Sequence, residues 1–392
     1  MTRSYRIPLS IPYLGAEEKL LVNQALDDGW VSSAGPLVGE FENAIAQLVQ
    51  VEHAIATSSG TAAIHLALAA SGIGSGDAVV VPDLTFIGSI NPIAYVGASP
   101  VLIDVRESDG TIDVDALRRY LDDGCERRDG VSIDRATGAR VRAVMPVHLY
   151  GSPADLVDLA ALAAERELFV IEDAAEALGS SLNGRPTGSW GSLGCLSFNG
   201  NKIVTTGGGG MVVTHDADFA KQARYLSTQA RDDPREYRHN AIGFNYRLTN
   251  LQAALGLGQI ATIEDRLARR RGVAARYRER LAGTGLRFLE PARSAISNNW
   301  LVSIVLDDAK RREALIATLD AAGIEGRAFF VPVHMQRPYS SARRWGDLRV
   351  AERIYAGGVN LPSSTGVSLS DVDEVSETVR SVLEARAPTV TQ

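Results

Sequence analysis

Short apolar runs alternate with helical patterns through the first half of the chain, and this alternation constrains the fold strongly. Runs such as Asp77–Pro82, Pro100–Val105 and Val141–Val147 consist largely of apolar residues. Such runs are typical of strands that are buried on both faces of a parallel sheet. A helical pattern follows each run, so the sequence predicts an α/β fold with helices covering both faces of a mostly parallel sheet.

The pattern of predicted helices and strands changes in the second half of the chain. A long Ala/Leu-rich helix is predicted over Gln252–Tyr277, and strand-helix-strand patterns follow it. We therefore expect an extended N-terminal arm over residues 1–13 and a large domain over residues 14–255. A smaller C-terminal α+β domain over residues 256–392 would be reached by the long helix, and the chain is long enough for both cores.

Charge and composition exclude several classes of partner. The chain has 40 Lys and Arg against 47 Asp and Glu, a net charge of −7. No polybasic surface for nucleic acid or membrane is expected. Cys125 and Cys195 have no neighbouring Cys or His at metal-ligand spacing, so neither a metal site nor a disulfide is predicted. Without a signal-peptide pattern or a membrane span, a cytoplasmic protein is expected.

A single lysine, Lys202, lies in a polar turn that is followed by four consecutive glycines, 207–210. Glycine backbones adopt positive φ and allow a close approach. A lysine held in this way can form an imine with an aldehyde cofactor when its amine is partly desolvated. The alternative is a solvated lysine in a turn between strands. Pyridoxal phosphate would also need a phosphate cradle, a partner for its ring nitrogen and a residue that stacks on the ring.

A candidate phosphate cradle follows the strand-like run His53–Thr57. Ser59, Gly60 and Thr61 form a small-residue turn at the start of a predicted helix. The free N–H groups of a helix start, together with the two hydroxyls, suit a phosphate. Neither a Walker loop nor a dinucleotide fingerprint is present, and an ordinary capped helix is the alternative.

A candidate partner for the ring nitrogen is Asp173, which directly follows the apolar run Phe169–Ile171 and Glu172. Ligands on parallel sheets gather at the carboxyl ends of the strands. A carboxylate there can pair with a protonated pyridine nitrogen and keep the ring an electron sink. The alternative is a helix N-cap or a surface salt bridge.

Four motifs occur in an order that resembles that of the fold-type I pyridoxal-phosphate enzymes. Their sequences are similar to those of the DegT/DnrJ/EryC1/StrS sugar aminotransferases. They are Ser-Gly-Thr-Ala-Ala at 59–63, Glu-Asp-Ala-Ala at 172–175, Ser-Phe-x-x-x-Lys at 197–202 and Gly-Phe-Asn-Tyr-Arg-Leu at 243–248. The resemblance covers about residues 7–385. Within the family, residues 201–210 resemble the branch that acts on UDP-linked 4-keto-6-deoxy-N-acetylhexosamines.

The resemblance implies cofactor-binding roles for matching residues. Lys202 would hold pyridoxal phosphate as a Schiff base and later act as acid and base, and pyridoxamine phosphate would form in turnover. Asp173 would pair with the pyridinium nitrogen, and Phe86 would stack on the ring. The phosphate-binding residues would be Ser59, Gly60, Thr61 and Ser197.

Other implied roles concern the partner subunit and the substrate. Asn245 would reach the phosphate of the cofactor in the other subunit of a homodimer. His334 and His148 are candidate substrate-side residues. A packed loop residue is the alternative for His334, and a supporting role is the alternative for His148. Trp30 lies in a glycine-bracketed loop that is either a substrate wall or a connector.

One residue departs from the family's pattern. Glu176 stands where many members have Gln, at the position expected near the 3′-oxygen of the cofactor. A carboxylate beside that phenolate is repulsive unless one of the two carries a proton. Glu176 is therefore expected either to be protonated or to turn its side chain away.

The implied reaction is transamination in deoxyamino-sugar and polysaccharide biosynthesis. An amino acid, expected to be L-glutamate, would donate its amine to the C4 ketone of a nucleotide sugar, expected to be UDP-2-acetamido-2,6-dideoxy-4-keto-hexose. The alternatives are a 3-keto nucleotide-sugar aminotransferase, another fold-type I enzyme, and a non-catalytic regulatory protein that binds the cofactor. The 3-dehydratase branch resembles this chain but has His in place of the lysine, whereas Lys202 is present.

Overall fold

A computed structural model describes residues 5–233 and 235–384 of the chain. The α-helices are α1 (Ala16–Asp27), α2 (Pro36–Val49), α3 (Gly60–Ala70), α4 (Ile87–Tyr95), α5 (Val114–Arg119), α6 (Leu156–Glu165), α7 (Ala217–Ser227), α8 (Asn250–Ile260), α9 (Ile263–Arg280), α10 (Ala309–Ala321), α11 (Arg349–Gly357) and α12 (Leu369–Glu384). The strands are β1 (His53–Thr57), β2 (Asp77–Pro82), β3 (Ser99–Ile103), β4 (Cys125–Arg128), β5 (Val131–Asp134), β6 (Arg140–Val144), β7 (Phe169–Asp173), β8 (Ser181–Leu182), β9 (Arg185–Pro186), β10 (Leu193–Ser197), β11 (Gly210–Thr214), β12 (Arg231–Asp233), β13 (Arg238–His239), β14 (Arg287–Phe288), β15 (Ala295–Ile296), β16 (Val302–Val305), β17 (Arg327–Ala328), β18 (Arg343–Trp345) and β19 (Gly358–Leu361).

The main sheet has the order β1-β11-β10-β7-β6-β2-β3-β18. Neighbours from β10 to β18 along this path are parallel, whereas β11 is antiparallel to both β1 and β10. The β4–β5 hairpin is joined to β6. The predicted α/β fold with a mostly parallel sheet is confirmed.

Both faces of this sheet are covered, as the apolar runs predicted. In β2, the side chains of Val79 and Val81 pack in a cluster with Ile64 of α3 and Ile90 of α4. The intervening Val80 belongs to a second cluster, formed with side chains of α5 and α6. Since successive side chains of a strand point to opposite faces, one strand contributes to two cores.

The C-terminal part forms a smaller sheet with the order β14-β16-β19-β17, against which α9, α10 and α12 pack around Ile304. In the N-terminal arm, Ile7 pairs with Ile324, beside this small sheet. Strand β18, also from the C-terminal part, pairs instead with β3 of the main sheet. The domain limits at residues 13 and 255 stay a prediction. The predicted ranges also include residues 1–4 and 385–392, which lie outside the described residues.

The helix predicted over Gln252–Tyr277 is wrong in one respect, because the structure has two helices there. Helix α8 ends at Ile260 and α9 begins at Ile263, after Thr262 leaves the helical region with φ −120° and ψ 19°. The two helices pack against different partners, α8 against α1 and α2 and α9 against α12. Separate partners favour a break over one straight helix. Within the described residues, no helix is long and apolar enough to cross a membrane.

Candidate active site

A cavity of about 460 Å³ opens at the carboxyl ends of β1, β2, β7 and β10. Many of the residues predicted for the site line it together: Ser59, Gly60, Thr61, Phe86, Asp173, Glu176, Ser197 and Lys202. The C-terminal part of the chain adds Trp300, Arg327 and Phe330 to the wall. The cavity therefore combines a helix start, two carboxylates and two cations with an aromatic wall.

The start of α3 forms one wall of the cavity. Ser59 is its N-cap, and its Oγ accepts a hydrogen bond of 3.0 Å from the N–H of Ala62. A Cβ on Gly60 would lie 2.7 Å from the Cβ of Ser197, at the end of the neighbouring strand β10. Only glycine at position 60 allows this approach of helix and strand. The result is a narrow cradle at the positive end of a helix, which suits a phosphate.

Asp173, the last residue of β7, is 5% exposed and held by hydrogen bonds. Its Oδ2 accepts a 2.6 Å hydrogen bond from the hydroxyl of Ser89, and its Oδ1 accepts one of 3.1 Å from the N–H of Ala175. The Ser89 hydroxyl also lies 2.7 Å from that of Thr85. Because Ser89 donates to the carboxylate, Thr85 is left to donate to Ser89. This chain fixes the orientation of the carboxylate.

Lys202 lies in the turn after β10, with its side chain 13% exposed. Its Nζ is 3.5 Å from Oε1 of Glu176 and 3.8 Å from the centroid of the Trp300 ring. The backbone of the turn is held through the carbonyl of Asn201, which accepts hydrogen bonds from the Trp300 indole and the Ser10 hydroxyl, both of 2.8 Å. The amine is therefore held between an aromatic face and a carboxylate.

Glu176 faces the cavity, so the expectation that its side chain turns away is wrong for this structure. Its Oε2 accepts a 2.8 Å hydrogen bond from the N–H of Tyr150, and its Oε1 faces Lys202. Burial raises the pKa of Glu176 above its ordinary value, and the charge of Lys202 opposes the shift. The other expectation, a protonated Glu176, stays a prediction.

Tyr150 is a site-supporting residue that the sequence did not reveal. Its backbone has φ 54°, in the left-handed region that non-glycine residues seldom adopt. In this conformation the N–H of Tyr150 donates a hydrogen bond to Glu176. The hydroxyl of Tyr150 accepts a 3.0 Å hydrogen bond from the N–H of Phe330. Strained backbone of this kind is often found at functional sites. No local sequence signal marks it apart from the Gly151 that follows.

The two candidate histidines are buried and do not line the cavity. The Nδ1 of His148 accepts a 3.1 Å hydrogen bond from the N–H of Ala154, so its Nε2 donates to Glu172, 3.0 Å away. His334 has Nδ1 2.6 Å from Asp83 and Nε2 3.1 Å from Glu352. With both nitrogens of each ring engaged, the histidines connect structural segments.

Trp30 and Asn245 also lie away from the cavity lining of this protomer. Trp30 is 48% exposed, and its carbonyl accepts a 3.0 Å hydrogen bond from the side chain of Asn250. Asn245 is exposed and forms an isolated bridge with Thr228. Cys125 and Cys195 are buried free thiols. Among residues 5–233 and 235–384, no cluster of His, Cys, Asp or Glu is placed to hold a metal ion.

A sheet of this topology, with a lysine, an oriented carboxylate and a helix start in one cavity, fits a pyridoxal-phosphate enzyme. The chain belongs to the DegT/DnrJ/EryC1/StrS aminotransferase family, whose sequence model matches residues 12–380. It is therefore a pyridoxal-phosphate-dependent sugar aminotransferase.

Individual relatives match the chain over nearly its whole length. It is 40% identical to the GDP-perosamine synthase of Caulobacter vibrioides, over 96% of this chain and 98% of that protein. It is 37% identical to the GDP-perosamine synthase of Escherichia coli O157:H7, over 95% and 97%. Among solved structures, the PLP-form of the putative sugar aminotransferase Spr1654 from Streptococcus pneumoniae matches with a TM-score of 0.88 and 25% identity, over 97% of this chain and 99% of that one.

The residues in the cavity fit pyridoxal phosphate. A Cβ added at Gly60 would clash with Ser197, so the close approach of α3 and β10 that forms the cradle requires glycine there. The carboxylate of Asp173 is oriented by Ser89 and Ala175 to receive a cationic ring nitrogen. Lys202 is the one lysine of the lining that the structure describes.

Proposed function

We propose that this enzyme transfers the amino group of L-glutamate to the C4 ketone of a GDP-linked 4-keto-6-deoxyhexose. The placement of Lys202, beside Glu176 and on the face of Trp300, carries the proposal of lysine-dependent transamination. The acceptor is inferred from the two GDP-perosamine synthases that match nearly the whole chain. Perosamine carries its amine at C4, so an aminotransferase that makes it has to aminate a C4 ketone.

The cofactor roles of the cavity residues form part of this proposal. The start of α3, with Ser59, Gly60 and Thr61, and the hydroxyl of Ser197 are assigned to the phosphate. Phe86, which is 54% exposed and lies at the cavity wall, is assigned to one face of the pyridine ring. Asp173 is assigned to the ring nitrogen, where its negative charge favours the protonated form.

When bound, pyridoxal phosphate supplies an aldehyde carbon for the amine and a protonated ring that delocalises the electrons released at the donor's α-carbon. The Nζ of Lys202 is the group assigned to take the proton from that carbon and to return one to C4 of the sugar. Trp300 restricts the amine on one side and Glu176 faces it on the other. The aromatic rings of Phe86 and Phe330 lie 5.3 Å apart on the cavity wall.

Glu176 is assigned to the 3′-oxygen side of the cofactor in its protonated form. Its burial favours the neutral carboxyl group, and a neutral carboxyl can donate a hydrogen bond to a phenolate. Gln would donate at the same position through its amide. The conservative variant Glu176→Gln is therefore expected to keep the cofactor's visible absorbance, whereas Glu176→Leu is expected to change it.

A homodimer that shares its active sites is also proposed. Asn245 is exposed and lies outside the cavity of its own protomer. Two large apolar side chains nearby in the sequence, Tyr237 and Ile242, are 70% and 89% exposed. We take these two side chains as candidate contacts with the second subunit. Sedimentation should give a dimer, and mixing Asn245→Asp with Lys202→Ala should restore part of the activity in hybrid dimers if Asn245 acts in the partner's site.

A second candidate acceptor is the UDP-linked 4-keto-6-deoxy-N-acetylhexosamine. The observation that favours it is the stretch 201–210, which resembles the branch acting on those sugars. The experiment that decides is an assay with L-glutamate against GDP-linked 4-keto, UDP-linked 4-keto and 3-keto nucleotide sugars, with NMR of each product. Preferred amination of the GDP-linked 4-keto sugar supports the proposal. Preference for another acceptor, or the absence of any aminated product, contradicts it.

A further inference from the structure

Tyr246 belongs to the motif Gly-Phe-Asn-Tyr-Arg-Leu at 243–248, of which the proposed function uses only Asn245. Tyr246 is not among the described residues that line the cavity. It nevertheless makes two polar contacts with the elements that form the phosphate cradle, one through its backbone and one through its side chain. Tyr246 therefore contacts the cradle without lining the cavity.

The first contact holds the turn that precedes α3. The carbonyl of Tyr246 accepts a 2.8 Å hydrogen bond from the N–H of Ser58, directly before the N-cap Ser59. The same turn packs closely against β11, because a Cβ added at Gly210 would clash with the backbone of Ser59. The turn is therefore held by two neighbours, Tyr246 and the last glycine of the run 207–210.

The second contact holds α3 itself. The hydroxyl of Tyr246 lies 2.9 Å from Nδ1 of His65, in the second turn of the helix. His65 is 8% exposed, and burial lowers the pKa of its ring below the ordinary value. A neutral imidazole has one donor and one acceptor nitrogen, so a hydroxyl can pair with Nδ1 in either tautomer. This contact fixes α3 relative to the segment 243–248.

Tyr246 is itself held in place by its neighbours. Its ring stacks on that of Phe244, with centroids 5.0 Å apart and an angle of 13° between the planes. Its N–H donates a 3.1 Å hydrogen bond to the carbonyl of Ser227, the last residue of α7. Because α7 and Phe244 fix the position of Tyr246, its two polar groups offer fixed attachment points to the turn and to α3.

We propose that Tyr246 is a positioning residue for the phosphate of the cofactor, because it holds the turn 58–60 and the start of α3 in one fixed arrangement. The N–H groups at a helix start bind a phosphate when they point at it together. This inference rests on the proposed function, which assigns the cradle to the phosphate. Tyr246 acts through the turn and the helix, and it takes no part in proton transfer.

The test compares two ligands of the full-length enzyme after removal of its cofactor: pyridoxal phosphate, and pyridoxal, which lacks the phosphate. Tyr246→Phe removes the hydroxyl and keeps the stacked ring. Tyr339→Phe is the matched control, because Tyr339 is also half-buried in the same apolar cluster, and its hydroxyl donates a 2.7 Å hydrogen bond to Asn91 of α4. Titration followed by absorbance measures each Kd, and Lys202→Ala gives the background from other lysines.

Tyr246→Phe should raise the Kd for pyridoxal phosphate by about three- to tenfold, as expected for one lost hydrogen bond, and leave that for pyridoxal within about twofold of wild type. His65→Phe removes the other partner and should have the same selective effect. The double variant should bind pyridoxal phosphate about as weakly as either single variant, since the two residues share one contact. Tyr339→Phe should bind both ligands as the wild type does.

Two results would overturn the inference. Tyr246→Phe might bind pyridoxal phosphate as tightly as the wild type, or it might lose affinity for both ligands by the same factor, as a merely destabilised protein would. Failure of the proposed function would look different. If the selective loss is found but the wild type aminates no nucleotide sugar, the positioning role stands and the reaction assignment falls.

Discussion

The amine of Lys202 lies 3.8 Å from the centroid of the Trp300 ring, although Lys202 follows a strand of the main sheet and Trp300 belongs to the C-terminal part. The indole N–H in turn donates to the carbonyl of Asn201, directly before the lysine. Trp300 itself is 4% exposed. One tryptophan therefore supports both the side chain of Lys202 and the backbone of its turn, and joins the main sheet to the C-terminal part.

The contact between Lys202 and Trp300 should be measurable as a coupling energy. A double-mutant cycle of Lys202→Met and Trp300→Leu in cofactor-free protein should give about 0.5–2 kcal/mol in the free energy of unfolding, the range of cation–π contacts. Denaturation by urea measures each corner of the cycle. A control cycle with Trp345→Leu, in β18 and packed on Tyr120, should give a coupling near zero. Equal values in the two cycles would refute a specific contact.

Glu176 should make the stability of cofactor-free protein depend on pH. Its pKa is raised in the folded state, so the folded protein holds a proton that the unfolded chain releases, and stability falls as pH rises above about 4.3. Glu176→Gln lacks this titration. Its free energy of unfolding, relative to wild type, should therefore increase as pH rises from about 4 to 7. The control is Glu313→Gln, at a side chain that is 72% exposed, and it should show no such trend. If the free energy of unfolding of Glu176→Gln differs from that of the wild type by the same amount at every pH, a raised pKa of Glu176 is contradicted.

Gly60→Ala should weaken cofactor binding, because the new Cβ would lie 2.7 Å from the Cβ of Ser197 and force helix and strand apart. We expect the Kd for pyridoxal phosphate to rise by about tenfold or more, which is about 1.4 kcal/mol. Titration followed by absorbance measures it. The matched control is Gly272→Ala in α9, where no heavy atom lies within 4 Å of the new Cβ. It should leave Kd unchanged and stabilise the protein by about 0.5–1 kcal/mol.

Asp173→Asn should separate cofactor binding from turnover. The amide keeps the shape of the carboxylate but loses the charge, so kcat should fall by about 100-fold or more, equal to about 2.7 kcal/mol. Ser89→Ala removes only the hydroxyl that donates to Asp173. It should lower kcat by roughly three- to tenfold, as expected for one lost hydrogen bond. Equal effects of the two variants would contradict a charge-based role for Asp173.

Local patterns in the sequence were sufficient to predict a mostly parallel sheet and some of the residues that line the cavity. Apolar runs identified β2, β6 and β7, and the residues directly after such runs include Asp173. The Ser59–Thr61 turn was predicted as a helix start because small residues and hydroxyls are N-cap signals. Each of these inferences depends on neighbours within a few positions along the chain.

Residues placed by tertiary packing were not predictable in this way. The C-terminal part of the chain contributes Trp300, Arg327 and Phe330 to the cavity wall. No short sequence motif predicts that these residues lie next to the cavity. The left-handed backbone of Tyr150 is held by surrounding contacts, since a tyrosine has no intrinsic preference for it. His334 was predicted beside the substrate, but its partners Asp83 and Glu352 are distant in sequence and occupy its ring.

The central claim is amination at C4 by way of Lys202, and transfer of a nitrogen label tests it most directly. Wild-type enzyme, ¹⁵N-labelled L-glutamate and a GDP-linked 4-keto-6-deoxyhexose should give a nucleotide sugar with ¹⁵N bonded to C4 by NMR. Lys202→Ala should give none, while Lys221→Ala, at an exposed lysine of α7, should match the wild type. Label at C3, loss of the C3 oxygen without label, or equal transfer by Lys202→Ala would contradict the account.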